Sequence, residues 1–117
     1  TIGHAIESQA LLKGRDLLHG EAIAIGMVVE TILSQMTNGL NADVSNFIRK
    51  KIKNDFSLNQ IDECEFSELI EWMRNDKKND DSEINFTLLK DIGQAEYNKV
   101  CSLDQIEQAI KMYNSFL

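Results

Sequence analysis

Two histidines with carboxylates close by are the residues of this 117-residue chain with the clearest potential for chemistry. His4 is followed by Glu7, and His19 is followed by Glu21. A neutral imidazole can bind a divalent metal or carry a proton, and a neighbouring carboxylate can orient its ring. Two histidines do not make a metal site by themselves, and a histidine at a helix start is often a hydrogen-bonded structural residue. Residue types and spacing therefore leave both roles open.

The segment that carries His19 predicts a buried helix. LLHGEAIAIGMV, residues 17 to 28, is apolar all round its axis beyond His19 and Glu21. We expect this helix to run from about Leu18 to Met36 and to end at TNGLN, where Gly39 suits a left-handed C-cap. Polar groups at the mouth of a buried helix need partners, because unpaired burial is costly.

The remaining patterns predict short helices and one hairpin, and no proline or repeat divides the chain. We therefore expect a mainly α fold, with residues 1–117 forming a single helical domain with one small β-hairpin. The signals are GHAIESQALL ended by Gly14, a surface helix capped by Asn41 or Asp43, a capping-box spacing at Asp62 and Glu65 before a helix ending near Arg74, strands in EINFTLL and AEYNKVC around Gly93, and a second capping-box spacing at Ser102 and Gln105.

Composition restricts the partners. A net charge of −7 argues against binding to nucleic acid or to an anionic membrane surface. Cys64 and Cys101 are far apart and form no CxxC pair, so reduced thiols are expected. The longest apolar run, Ala22 to Val29, is too short to cross a bilayer, which favours a cytoplasmic protein. The chain opens at Thr1 in the middle of a pattern, so we expect a piece of a longer protein with part of a site.

Three ordered blocks resemble a known enzyme family. GHAIE at residues 3–7, LLHGEAIAIGM at residues 17–27 and MRNDKKNDDSEINFTLLKDIGQA at residues 73–95 are similar to the signature regions of the 3-dehydroquinate synthases of the sugar phosphate cyclase superfamily. Together they spread over about four fifths of the chain, which is more specific than any one block alone. The resemblance implies the helical C-terminal domain of these enzymes, without their N-terminal NAD-binding domain.

The resemblance also implies a role for individual residues. His19 matches a histidine that binds the catalytic divalent metal, Zn²⁺ or Co²⁺, while the other ligands, a histidine and a glutamate, would lie upstream. His4 matches a histidine implicated in proton transfer, and either Lys77 or Lys78 matches a substrate-binding lysine, with no choice between the two. Gly20 would allow close approach of backbone. Glu21 would either orient a ligand or serve as a helix-start carboxylate.

The implied activity is the conversion of 3-deoxy-arabino-heptulosonate 7-phosphate to 3-dehydroquinate and phosphate in the shikimate pathway, with NAD and the metal as cofactors. The implied partners are the sugar phosphate substrate, the missing N-terminal domain and a second copy of the full enzyme in a homodimer. The isolated fragment is expected to be inactive. Two alternatives remain: another sugar phosphate cyclase, such as a 2-deoxy-scyllo-inosose synthase, or a metal-free helical interaction domain.

Overall fold

The computed structural model describes residues 1–76 and 83–117 and confirms the mainly α fold with one hairpin. The expected helix boundaries hold to within one or two residues. The elements are α1 (Ile2–Leu12), α2 (His19–Thr37), α3 (Ala42–Asp55), a 3₁₀ turn (Glu63–Glu65), α4 (Phe66–Asp76), β1 (Glu83–Asp91), β2 (Gln94–Ser102) and α5 (Leu103–Phe116). Within the described ranges, no helix is long and apolar enough to cross a membrane.

Helix α2 lies at the centre of the packing, as its apolar sequence predicts. It contacts α1, α3, α5 and β1. Val28, Ile32 and Leu33 of α2 are fully buried, while Met27 is among its few exposed apolar residues. Burial of such side chains contributes about 1.5–3 kcal/mol each, so α2 organises the core and fixes the elements around it.

The hairpin is held against the last turns of α2. Strands β1 and β2 pair antiparallel, with Ile84 opposite Cys101, and Gly93 at the turn has φ +76°. The backbone of Leu89 contacts the end of α2 and the residue that follows it: its N–H donates to Ser34 Oγ and its carbonyl accepts from Asn38 Nδ2, each at 3.0 Å. A two-stranded sheet is marginal alone, and these contacts supply the helical support that it needs.

The predicted capping interactions form at α3 and α5, and one of the two residues predicted to cap before α4 does so. Asn41 caps α3 by accepting from the Asp43 N–H at 2.8 Å, and Ser102 and Gln105 form the expected capping box at α5. Asp62 also caps, accepting from the Cys64 N–H at 3.0 Å. The predicted partner role of Glu65 is wrong, because its carboxylate turns to Arg15 instead.

Two glycines allow a close approach between the backbones of α1 and α2. A Cβ built on Gly26 would lie 2.5 Å from the backbone nitrogen of Gly3 and 2.8 Å from its Cα, which real side chains do not tolerate. No backbone among the described residues approaches Gly20 closely, since the nearest atom to its Cβ position is Phe56 Cε1 at 4.0 Å. The close approach implied by the resemblance stays a prediction. The Gly3–Gly26 contact therefore sets the spacing of the two helices that carry both histidines.

Candidate functional site

The first residue of α2 and the middle of α1 meet in a histidine–carboxylate contact. His19 Nδ1 lies 2.6 Å from Glu7 Oε2. The two side chains are 68% and 36% exposed, so the pair lies at the surface rather than in the core. An ionised carboxylate can only accept a hydrogen bond, and His19 Nδ1–H is therefore the donor of the hydrogen bond to Glu7.

The connection between α1 and α2 is fastened to the start of α4. Arg15 donates from Nη1 to Glu65 Oε2 at 2.9 Å, and its Nη2 also contacts Oε1 of the same carboxylate. Lys13 adds an ion pair to Glu68 at 3.0 Å. Hydrogen bonding from Arg15 holds the pKa of Glu65 below its usual value, and the same bond raises the pKa of Arg15. These contacts restrain the segment that delivers His19 to Glu7.

Glu21 does not act on the histidine ring. Its Oε1 accepts from the backbone N–H of Leu18 at 3.2 Å, across the start of α2. A carboxylate at this position satisfies an otherwise unpaired helix donor and is favoured by the helix dipole. Of the two interpretations of Glu21, the structure supports the helix-start carboxylate, and the carboxylate that contacts the ring is Glu7.

His4 lies one helical turn before Glu7 and is exposed. It lines a hollow of about 180 Å³ together with Ser8 of α1 and with Trp72 and Asn75 of α4. Helix α4 ends at Asp76. The predicted substrate-binding residues, Lys77 and Lys78, follow next in the sequence and lie outside the described residues. The first and third sequence blocks therefore approach each other where α1 meets the end of α4.

His19 fits a metal site as one donor of a larger set. With Nδ1 bound to Glu7, the second ring nitrogen, Nε2, is the one suited to a metal, as in the carboxylate–histidine–metal arrangement common in proteins. Among residues 1–76 and 83–117, no group of three or more histidine, cysteine or carboxylate side chains could hold a metal ion. A metal bound through His19 would need further ligands from beyond this described set.

Sequence reasoning named both histidines but missed the partner of His19. Glu7 is separated from His19 by the second half of α1 and a connecting segment, and Glu21 was the nearer carboxylate in sequence. The sequence did contain one indication of this pairing, because Glu7 lies in GHAIE and His19 in LLHGEA, and both blocks resemble the same enzyme family. The contact between these blocks could not be read from spacing, because it depends on how α1 packs on α2.

Fold and site together define a helical domain with a histidine–carboxylate pair at its surface. Comparison with known proteins assigns the family. The family described as 3-dehydroquinate synthase C-terminal matches residues 1–79, and this chain belongs to it, as the sequence blocks predicted.

Named relatives agree with that assignment. The 3-dehydroquinate synthase of Parabacteroides distasonis is 37% identical over 113 residues, covering 97% of this chain and 32% of the relative. The enzyme of the same name from Picrophilus torridus is 38% identical over 95 residues, covering 80% of this chain and 27% of the relative. The chain thus spans about a third of the length of the curated relatives that it matches.

A solved structure supports the fold assignment. It is 2-deoxy-scyllo-inosose synthase in complex with carbaglucose-6-phosphate, NAD⁺ and Co²⁺. The similarity has a TM-score of 0.69 and 25% identity, and it covers 95% of this chain and 32% of the other. About a third of that synthase chain is therefore similar to the fold described above.

Proposed function

We propose that this chain is the C-terminal part of a 3-dehydroquinate synthase, a phosphate-eliminating carbon–oxygen lyase of the shikimate pathway. The reaction converts 3-deoxy-arabino-heptulosonate 7-phosphate to 3-dehydroquinate and phosphate. The observation that carries the proposal is the contact between His19 and Glu7, which joins the two signature blocks at one surface. The match to 3-dehydroquinate synthases at 37% and 38% identity favours this substrate over other sugar phosphates.

The proposed cofactors are NAD and a divalent metal, Zn²⁺ or Co²⁺. Support comes from the similar 2-deoxy-scyllo-inosose synthase, which was solved with NAD⁺ and Co²⁺. When bound, the metal would polarise a substrate hydroxyl and favour loss of its proton before hydride transfer to NAD. The exposed position of His19 suits a site that is completed by ligands from another part of the enzyme.

Each proposed site residue has a distinct task. His19 holds the metal. His4 exchanges a proton with the substrate, and its exposed position beside the end of α4 suits a pocket-lining residue. Lys77 and Lys78 supply a point charge for the phosphate or nearby oxygens, a role inferred from the sequence block alone.

The length of the relatives supports a further domain as one partner, while the homodimer is inferred from the sequence resemblance and the location from the composition. The chain would act with an N-terminal NAD-binding domain in the full enzyme, as a cytoplasmic homodimer. Because the metal and NAD sites would draw on that domain, the 117-residue chain by itself should not turn over substrate. Activity of the purified chain alone would contradict this assignment.

The experiment that tests the proposal is product identification with the full enzyme. Supplied with 3-deoxy-arabino-heptulosonate 7-phosphate, NAD and Zn²⁺, it should release phosphate and form 3-dehydroquinate, and chelation should abolish both. His19→Ala should remove metal binding and activity, whereas Glu96→Gln, at a side chain of β2 that is 40% exposed, should keep both. Turnover of glucose 6-phosphate instead would favour a 2-deoxy-scyllo-inosose synthase, and absence of metal binding would favour a helical interaction domain.

A further inference from the structure

Glu7 and His19 form a contact that fold stability does not require. Both side chains are substantially exposed, and exposed pairs of this kind contribute at most about 1 kcal/mol. α1 is already fixed on α2 by the Gly3–Gly26 approach and by the buried side chains of Ile2, Ala5 and Ile6. Stabilisation of the packing between α1 and α2 therefore does not explain the contact between Glu7 and His19.

The geometry selects one form of the imidazole ring. Nδ1 lies at hydrogen-bond distance, 2.6 Å, from an oxygen of Glu7 that can only accept. A neutral His19 held in this way carries its proton on Nδ1 and presents the lone pair of Nε2. Without Glu7, the proton could reside on either nitrogen, and the exposed ring could rotate among its rotamers.

We propose that Glu7 is the positioning residue of His19, holding the ring in the Nδ1–H tautomer so that Nε2 is pre-set to bind a divalent metal. This inference rests on the proposed role of His19 as a ligand and adds to it a residue from α1. Glu7 does not bind the metal in this scheme. It acts through the ring, as a carboxylate behind a metal-bound histidine commonly does.

Glu21 provides a matched control on the same surface. It follows His19 in the first turn of α2 and carries the same charge, but its carboxylate accepts from the Leu18 N–H. Glu7→Gln and Glu21→Gln therefore each remove one negative charge near His19 while keeping an oxygen acceptor. A general electrostatic effect on a bound cation would weaken binding similarly in both variants, whereas a positioning effect would be specific to Glu7.

The test measures Co²⁺ affinity of the metal-free full enzyme by spectrophotometric titration, and Zn²⁺ affinity by displacement of the bound Co²⁺, at one fixed pH. We expect Glu7→Ala to weaken metal binding by about 10–100-fold. Glu7→Gln should lose less, because its amide oxygen still accepts, and Glu21→Gln should stay within about threefold of the unchanged enzyme. Far-UV circular dichroism and urea unfolding should show all three variants folded, with stability changes below about 1 kcal/mol.

A second measurement reports on the ring directly. In metal-free enzyme with ¹⁵N-labelled histidine, the His19 signals, identified by their loss in His19→Ala, should show protonated Nδ1 and unprotonated Nε2. In Glu7→Ala the two tautomers should be mixed. Equal metal affinities in Glu7→Ala and Glu21→Gln, or an unchanged tautomer in Glu7→Ala, would overturn the positioning role. Failure of the proposed function is distinguishable, because His19→Ala would then leave metal affinity unchanged.

Discussion

Replacement of Gly26 by alanine should separate α1 from α2 and destabilise the fold. The added methyl would lie 2.5 Å from the backbone nitrogen of Gly3 and 2.8 Å from its Cα. Favourable contacts between such atoms begin at about 3.5 Å, so the helices must move apart by about 1 Å. The obstacle is backbone, which cannot change rotamer to make room.

The size of the effect follows from two opposing contributions. Forcing an extra methyl into a packed interface costs about 1–3 kcal/mol, and a clash with backbone belongs at the upper end of that range. Alanine is favoured over glycine inside a helix by about 1 kcal/mol, which offsets part of the cost. The expected net loss is about 1–2 kcal/mol, or about 4–8 °C in Tm for a chain of this size.

Gly20→Ala is the control, since it places the same methyl on the same helix with Phe56 Cε1 as its nearest neighbour at 4.0 Å. Urea unfolding of the 117-residue chain, followed by far-UV circular dichroism, should give a lower midpoint for Gly26→Ala and an unchanged or slightly higher one for Gly20→Ala. A Gly26→Ala chain as stable as the unsubstituted one would refute the claim that the two glycines set the helix spacing.

Three further predictions concern titration and thiol exposure. Burial raises the pKa of Tyr113, so the stability that its neutral phenol contributes is complete below about pH 10 and is lost as the pH rises further. In urea unfolding, the free energy of unfolding of Tyr113→Phe should therefore fall less steeply at alkaline pH than that of the unsubstituted chain. Arg15 lowers the pKa of Glu65, so the stability from their pair is present above about pH 4.3 and is lost as the pH falls through the lower pKa of the folded chain. In urea unfolding, the loss of stability caused by Glu65→Gln should therefore become smaller on acidification. A loss that is independent of pH would exclude this coupling. Cys64 is exposed and Cys101 buried, so alkylation followed by peptide mass analysis should label Cys64 in the folded chain and Cys101 only after unfolding, and equal labelling would contradict the burial.

The sequence predicted the features that depend on neighbouring residues. The apolar run after His19 was correctly expected to form a buried helix, because a helix without a polar face has no stable position at the surface. Gly39 adopts the left-handed conformation, φ +74°, just past the end of α2. Ser102 and Gln105 form their capping box. In each case the pattern that carries the prediction lies within one continuous segment of the sequence.

Predictions failed where a distant residue competed for the same group. Glu65 has the spacing of a capping-box partner for Asp62, yet its carboxylate binds Arg15, fifty positions earlier. A two-pronged, charge-assisted contact with a guanidinium is stronger than one hydrogen bond to a neutral backbone N–H. The same limit applies to Gly26, since which glycine faces another backbone depends on the crossing of α1 and α2.

The two carboxylates near His19 contact different groups, the backbone N–H of Leu18 and the His19 ring. His19 is the first residue of α2, where unpaired N–H groups and the helix dipole create positive potential that disfavours a nearby cation. The carboxylate of Glu21 lowers that potential at the helix start, where it accepts from the Leu18 N–H, and Glu7 contacts the ring from α1. If Glu21 turned to the ring, it would leave the Leu18 N–H without this partner. In the proposed metal site, a ligand at the start of α2 would therefore gain from a carboxylate on α1, and the α1–α2 spacing would be part of that site.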